Sequence, residues 1–561
     1  MRSVVEHPLV RPGAAAGRRA LDTGDGLLRV WGREVERLTG VPAFASLGVL
    51  IAIVSLLPGL FVLYTDIAVH IDSGRDTTLL TPSHGIGVGA AAGMLIGVIV
   101  AIRLYPQDGR GLRAFGRHAP YGASFALLAG SFLMIGFPFD FLWHELFGQD
   151  VTLWSPSHIE LIGGGALSVL GFAMLAAEAR ARPDWRPTAA GKFLMACPVV
   201  AAPTVISVFA AEFDFGIPQF QILYLPVLIA FMTTAGFVFA RILLGPTGAL
   251  RALAIWLVLR GAVYLVVEGL DMSTPHFYPY VLEAVAVEAA FMLAGRRPLR
   301  AALLAAGAIG TLGCLSTFWF SRVWGYNDLP WDLLPQALPL ATLAALAAAT
   351  LATGVARAMA PDRVVHGGPQ RHALALAGVA AVAALAIPLP RGGDPGYVAD
   401  ITLTPAVSGE SVWVSARFAD PALVEGADWF DVFAWQGGGK LNEPMRRVAS
   451  DTWRSPVPVP IGGEWKSLLR IADGSAMRGA PIRMPADPFV DARAIPAADR
   501  PAFRFRREQQ YMMREYRGGM RSLILPGTLL HLAVWIAFLV LAGMVLRRMY
   551  DAARHQGAGA S

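Results

Sequence analysis

The chain has 561 residues, of which 55% are hydrophobic and 16% charged, with a formal net charge of +6. Its mean hydropathy of +0.50 exceeds that of soluble globular proteins and predicts a polytopic membrane protein. The two cysteines, Cys197 and Cys314, lie inside apolar segments, which excludes a disulfide framework and a thiolate metal cage.

In chain order, the sequence predicts a cytoplasmic N-terminal tail (1–41), a membrane domain of about eleven helices (42–390), an outer segment (391–520) and a final transmembrane helix with a cytoplasmic tail (521–561). The tail is rich in arginine and has no apolar core of the kind that a cleavable signal carries. The twelve candidate spans are 42–65, 85–105, 121–140, 158–179, 192–211, 220–242, 250–268, 277–295, 299–320, 336–359, 372–390 and 523–546.

Arginines indicate how this bundle is oriented. They concentrate in both tails and in alternate connections, whereas the opposite connections hold almost none, Arg75 and Arg322 being the exceptions. The positive-inside rule therefore predicts that both termini are cytoplasmic. The predicted location of the protein is the cell inner (plasma) membrane. The net charge reports this topology, so lipid is the expected contact and no nucleic-acid partner is expected.

A pattern D-x3-H-x5-D-x4-[ST]-P-S-H occurs twice, in hairpins 64–85 and 138–159. On a helix that continues through D-x3-H the two side chains share one face, and the Thr-Pro or Ser-Pro pair places the last histidine in the first turn of the next helix. The polar positions of the pattern are Asp66, His70, Asp76 and His84 in the first copy and Asp140, His144, Asp150 and His158 in the second.

One copy could be a polar hairpin in which Asp pairs with His. Two copies in the same register, where ionisable groups are costly, favour two metal sites with one carboxylate and two imidazoles each. Asp76 and Asp150 are interpreted either as acceptors that orient a ligating imidazole or as turn residues. Such ligand sets suit Cu(II), Zn(II) or Fe(II), and composition alone does not choose among them.

The second copy resembles a copper-binding segment found in one of the integral membrane subunits of the copper monooxygenases, the particulate methane and ammonia monooxygenase family. Asp140, Trp143, His144 and His158 match that segment, and the first copy matches the same pattern, so the resemblance covers about residues 64–165. It implies copper, with iron or zinc less favoured, and partner membrane subunits or a copper chaperone. This chain has more spans and an additional outer domain, so copper binding carries over more directly than hydroxylase activity.

The fourth hairpin repeats only the end of the pattern. Glu268, Asp271 and His276 are interpreted either as a third, weaker metal site or as a structural hairpin. The first histidine of the pattern is missing there.

Other ionisable groups fall inside the predicted spans. Arg260 is expected to reach the depth of Glu283 or Glu288 on the next helix and to form a buried ion pair. Glu160, two residues after His158, is interpreted as a proton acceptor on a path to the metal or as a structural partner.

Residues 391–520 alternate polar and apolar positions and predict a β-sandwich. The segment contains no His and no Cys, which excludes a cupredoxin centre. It is expected to cover the metal-bearing face or to recruit a partner. Met512, Met513 and Met520 either hand Cu(I) to the membrane sites or belong to an amphipathic interfacial helix.

These features leave three hypotheses. The first is a copper-binding membrane protein related to the monooxygenase subunits, acting in oxygen activation or in copper handling. The second is a transporter for a metal ion or small molecule, and the third is a structural membrane scaffold with a partner-binding outer domain. The polar ligand sets stop at the outer ends of the spans, which favours a fixed site over a transport path.

Overall fold

The computed structural model describes residues 12–558, except for 75–77, 79–80, 115, 148–151, 219–220, 296, 361, 363–368, 387–393, 475, 489–490, 513 and 515–520. Asp76, Asp150, Met513 and Met520 therefore lie outside the described residues.

Helices make up most of the described chain. They are α1 (Pro12–Thr39), α2 (Ala43–Ser73), α3 (Pro82–Leu104), α4 (Tyr121–Phe147), α5 (Pro156–Arg180), α6 (Ala189–Val200), α7 (Ala202–Ile206), α8 (Ala211–Asp214), α9 (Tyr224–Leu244), α10 (Gly248–Gly269), α11 (Val281–Ala294), α12 (Pro298–Ala308), α13 (Cys314–Val323), α14 (Leu334–Met359), α15 (Arg371–Ala386), α16 (Pro421–Glu425), α17 (Gln509–Met512) and α18 (Ile524–Ala558). A π-helical turn joins α12 to α13.

Ten helical segments of the described chain are long and apolar enough to cross a membrane, which confirms a multi-pass membrane protein. One of these segments runs from α6 through α8, and another from α12 through α13. The predicted spans 277–295 and 372–390 hold α11 and α15, which have 14 and 16 residues. The number of spans therefore stays a prediction. The N-terminal tail contains α1, a helix that we did not predict.

Two helical hairpins, α2 with α3 and α4 with α5, carry the duplicated pattern. Their helices approach closely because glycines face the neighbouring backbone. A Cβ added to Gly97 of α3 would lie 2.7 Å from the carbonyl oxygen of Gly48, and one added to Gly171 of α5 would lie 2.6 Å from the amide nitrogen of Ala126. Small residues of this kind let membrane helices pack backbone against backbone.

Three short 3₁₀ helices, Ser207–Ala210, Trp331–Leu333 and Arg521–Leu523, and a set of β-strands complete the regular structure of the described residues. The strands are β1 (Leu112–Ala114), β2 (Arg117–Ala119), β3 (Val398–Val407), β4 (Ser411–Phe418), β5 (Trp429–Trp435), β6 (Leu441–Pro444), β7 (Arg446–Ala449), β8 (Thr452–Arg454), β9 (Val459–Pro460), β10 (Lys466–Asp473), β11 (Ala476–Arg483), β12 (Arg500–Arg504) and β13 (Arg506–Arg507).

Strands β3 to β13 form a separate region, residues 398–507, which we call the β region. It contains two antiparallel sheets, in the orders β13-β11-β10-β5-β6 and β12-β3-β4-β8-β7, with β9 paired to β4. Side chains from both sheets, among them Val414, Val432 and Ile471, share one buried cluster. Alternate residues of β4 are buried, as the period-2 pattern predicts.

A buried charge cluster holds the first of these sheets together. Arg470 is 1% exposed and binds Asp431 through two hydrogen bonds of 2.9 and 2.7 Å, and its Nη1 lies 3.3 Å from Glu508 Oε1. The guanidinium also lies 4.2 Å from the ring centroid of Phe433. Burial raises the pKa of Asp431, and it raises the pKa of Glu508 to about 7.

This shift predicts a pH dependence of stability. Between pH 4.5, the ordinary carboxyl pKa, and about 7, folded Glu508 keeps a proton that the unfolded chain releases. The free energy of unfolding of the β region should therefore fall as the pH rises through this window, by roughly 2–3 kcal/mol. We expect Glu508→Gln to reduce the difference between thermal unfolding midpoints measured at pH 5 and pH 8. An unchanged difference would contradict the assignment to Glu508.

Candidate metal centres

The second copy of the pattern forms a compact centre, which we call centre 2. Asp140 and His144 lie one turn apart near the end of α4, and His144 Nε2 is 3.4 Å from Asp140 Oδ1. His158 lies in the first turn of α5, where the Ser155 hydroxyl accepts a hydrogen bond from its backbone amide, and its Nε2 is 3.3 Å from the same Oδ1. The predicted convergence of three side chains from one hairpin is thus confirmed.

The tautomer of His158 follows from its other nitrogen. His158 Nδ1 lies 2.6 Å from the carbonyl oxygen of Thr152, and since a carbonyl only accepts hydrogen bonds, Nδ1 carries the proton. The lone pair is therefore on Nε2, which points at Asp140. A histidine held this way is the usual arrangement for a metal ligand.

The spacing of centre 2 fits a metal ion. Two ligand atoms about 2.0–2.1 Å from one ion, at a tetrahedral angle, lie about 3.3–3.4 Å apart. Both imidazole nitrogens stand at 3.3–3.4 Å from Asp140 Oδ1. That oxygen is buried and accepts no hydrogen bond from any described residue. Burying a carboxylate oxygen without a hydrogen bond costs folding free energy, and a bound cation would compensate for that cost.

The first copy forms centre 1, with the same residue types and a looser geometry. His84 Nε2 lies 3.8 Å and His70 Nδ1 3.5 Å from Asp66 Oδ2. His70 Nδ1 also lies 2.9 Å from the backbone carbonyl of Asp66, so it donates its proton there and leaves the lone pair on Nε2. Asp66 Oδ1 is buried and accepts no hydrogen bond from a described residue. His84 follows Thr81, whose hydroxyl caps α3.

One cavity connects the two centres. It has a volume of about 420 Å³, and all six ligand side chains line it. The rest of the lining is mostly apolar, with Leu56, Leu60, Leu133, Phe137 and Ile162 among the residues. Its size and lining are typical of a small-molecule site.

Glu212 of α8 supports centre 2 from outside the pattern. Its carboxylate accepts hydrogen bonds from the Thr152 hydroxyl at 2.7 Å and from the Leu153 amide at 2.6 Å. These bonds hold the turn whose carbonyl binds His158. Glu212 was not predicted as a site residue, because no spacing in the sequence connects it to His158.

We expect Glu212→Ala to weaken metal binding at centre 2 by about 10- to 100-fold, the usual effect of removing a group that orients a ligand. Centre 1 should be unaffected. Metal titration of the purified protein measures both affinities. Glu268→Ala, which changes an exposed acidic residue outside both centres, is the matched control. Equal losses at both centres would contradict a local role for Glu212.

The β region and α17 contribute to the lining of the cavity, the former through Trp435 and Gln436 and the latter through Met512. Met512 is buried and lines the same cavity as the two centres. Transfer of Cu(I) by the methionines to the membrane sites stays a prediction, because Met513 and Met520 lie outside the described residues.

Glu160 lies deeper in the membrane domain and pairs with the last helix. Its Oε2 is 3.4 Å from His531 Nδ1, and His531 Nε2 accepts a hydrogen bond of 3.0 Å from Trp535. Of the two interpretations of Glu160, the structure shows the structural partner. A path from Glu160 to the metal stays a prediction.

The predicted ion pair of Arg260 is wrong. Arg260 donates to the Thr204 carbonyl and the Ser207 hydroxyl, and among the described residues no carboxylate lies within 4.0 Å of it. Glu288 binds Arg241 at 2.6 Å and accepts from two amides at the start of α10. Glu283 is buried beside Gly313. Depth in the bilayer does not fix the direction of a side chain around its helix axis, and Arg260 faces α7.

The third weak metal site is also not assembled. Within the described part of the chain, only the two centres bring three His, Cys, Asp or Glu ligand atoms within 4.8 Å of one another. His276 Nδ1 binds the Trp324 carbonyl at 2.7 Å, its ring stacks on Tyr326, and burial lowers its pKa. Glu268 and Asp271 are exposed. The structural hairpin is therefore the interpretation that the structure supports.

Comparison with protein-family models, curated proteins and solved structures found no match to this chain. The centres are therefore interpreted from their own geometry.

Proposed function

We propose that this chain is an integral membrane copper protein with one copper ion at each Asp-His-His centre. The observation that carries the proposal is the convergence of both triads on one largely apolar cavity. Each centre has a carboxylate that faces two imidazoles and keeps one buried oxygen without a hydrogen bond from a described residue, which suits a divalent cation. The resemblance of residues 64–165 to the copper monooxygenase family favours copper over iron or zinc.

The residues around the cavity support a specific reaction for such a protein. Bound copper would supply a redox-active centre for the activation of dioxygen. The aspartates and histidines would hold the ion, and the Thr152 carbonyl fixes the ring of His158. The largely apolar lining suits a small apolar molecule, so hydroxylation of such a molecule is the reaction to test. The alternative function that we propose is copper handling, in which the protein supplies copper to a partner enzyme.

The proposed setting is a cell inner membrane crossed about twelve times. The arginine pattern supports cytoplasmic termini, and it supports an extracytoplasmic β-sandwich above the metal-bearing face. Oxygen activation requires an electron donor, so we expect partner membrane subunits or, for copper handling, a copper chaperone.

Elemental analysis of the detergent-purified protein tests metal binding. We expect two copper ions per chain in the native protein and none in a variant with His70, His84, His144 and His158 changed to Ala. A variant with His118 and His372, which lie outside both centres, changed to Ala should keep both ions. Equal metal in all three proteins, or none in the native one, would overturn the proposal.

A further inference from the structure

The two centres share residue types, but the structure supports them differently. At centre 2 the imidazole nitrogens already lie 3.3–3.4 Å from the carboxylate, whereas the corresponding contacts of centre 1 are 3.5 and 3.8 Å. In centre 1 the His70 nitrogen that faces the Asp66 carboxylate is Nδ1, and Nδ1 donates its proton to the Asp66 backbone carbonyl. His70 must therefore turn to aim Nε2 at a metal, while centre 2 needs no such change.

Centre 1 also lies where the β region meets the membrane domain. Residues 435–440, which we call the docking segment, bind the last turn of α2. The backbone amides of Gln436 and Gly438 donate to the carbonyls of Ile71 and Asp72 at 2.9 and 2.8 Å. The Gln436 side chain donates to the carbonyl of His70 itself at 3.3 Å.

The docking segment is itself held in place. Gln436 is 6% exposed and adopts a left-handed backbone with φ of 61°, and the Lys466 ammonium donates to its side-chain oxygen. Lys440 donates to the Phe215 carbonyl and lies 3.5 Å from the ring centroid of Tyr326. The segment therefore spans several parts of the membrane domain and does not rest on α2 alone.

From these contacts we infer that the β region controls metal exchange at centre 1, through the hydrogen bond from Gln436 to the His70 carbonyl, while centre 2 retains its metal independently. This inference rests on the proposed metal binding, and it adds that the ion at centre 1 leaves before the ion at centre 2. Gln436 is a positioning residue, since it acts on the ligand through the backbone.

The physical reason is helix fraying. A helix end has few amides for its last carbonyls, so its last turn opens easily. At the end of α2 the Gly74 amide donates to the His70 carbonyl at 3.2 Å, and Gln436 adds a second hydrogen bond to the same oxygen. His70 lies three residues before the end of α2. Hydrogen bonds to three successive carbonyls keep that turn closed, and Gln436 also covers the cavity beside it. Losing the bond to His70 should increase the rate at which the turn opens and the ion leaves.

A chelator challenge of the full-length protein loaded with Cu²⁺ tests the inference. We expect copper to leave in two phases of equal amplitude. The fast phase should be absent when His70 and His84 are Ala, and the slow phase absent when His144 and His158 are Ala. Gln436→Ala should speed the fast phase several-fold and leave the slow phase unchanged.

Three further measurements distinguish a specific effect of Gln436 on His70 from general destabilisation of the protein. Gln436→Glu keeps an oxygen for Lys466 but cannot donate to the His70 carbonyl, so it should behave like Gln436→Ala. Arg417→Ala, which breaks an exposed ion pair of the β region, should change neither phase. In a chain that retains only centre 1, the electron paramagnetic resonance spectrum of bound Cu²⁺ should change on substitution of Gln436.

The outcomes distinguish the two proposals. A native protein that binds no copper overturns the proposed function and this inference with it. Two ions that leave in a single phase, a Gln436→Glu variant with native kinetics, or a Gln436→Ala variant that speeds both phases overturns this inference alone.

Discussion

Asp140→Leu should reduce the metal content of the protein from two ions per chain to one. Asp140 supplies the oxygen that both imidazoles of centre 2 face, at 3.3 and 3.4 Å. Leucine is similar in size to aspartate but offers no ligand atom, and two neutral histidines alone bind a divalent ion far more weakly. The expected loss exceeds that of any substitution that only orients a ligand.

The variant is informative because it should fold. The metal-free native protein keeps a buried carboxylate whose Oδ1 accepts no hydrogen bond from a described residue, so an apolar replacement should not lower its thermal stability. Asp66→Leu is the matched control: it should remove the other ion, and the double variant should bind none. If Asp140→Leu keeps two ions per chain, centre 2 is not a metal site.

At pH 8, Arg470→Met should destabilise the β region by about 3–5 kcal/mol, because it leaves two buried carboxylates without a counter-ion. Asp431 and Glu508 are 5% and 3% exposed, so water cannot replace the guanidinium. Hydrogen exchange of β5 and β10, the strands that carry Asp431 and Arg470, should accelerate more than exchange of the membrane helices. Since β5 ends at the docking segment, copper at centre 1 should also be released faster.

Two comparisons test the cause. Arg417→Met removes an arginine whose side chain is 60% exposed and paired to Asp400, and exposed pairs contribute no more than about 1 kcal/mol. Adding Asp431→Asn and Glu508→Gln to Arg470→Met neutralises both carboxylates and should restore most of the lost stability. A single Arg470→Met variant with native exchange rates would show that the cluster is not needed for the stability of the sheet.

Much of the two Asp-His-His groups could be predicted from local sequence. An aspartate and a histidine four residues apart share one helix face, and a Ser-Pro or Thr-Pro pair starts a helix with the next histidine in its first turn. These are short-range rules, and the structure places Asp140, His144 and His158 together as they require. The single cavity that joins both centres was not predicted, because it depends on how the two hairpins pack against each other.

The failures share a different cause. Arg260 was assigned a partner from its depth in the bilayer, yet depth does not fix the direction of a side chain around the helix axis. Its hydrogen bonds go to Thr204 of α7 and to the neighbouring Ser207, while Glu288 reaches Arg241 and the start of α10. Glu268, Asp271 and His276 were grouped by their nearness in sequence, and the turn between them does not bring their ligand atoms together.

By itself the sequence determined the membrane class, most of the candidate spans and the six residues of the two Asp-His-His groups, since bilayer length and helical periodicity are local properties of a chain. Only the tertiary structure decided which groups support those ligands. Glu212 and Gln436 lie 54 and 366 residues from the histidines that they hold. Contacts over such separations arise from the packing of whole elements, and a single sequence carries no periodic signal for them.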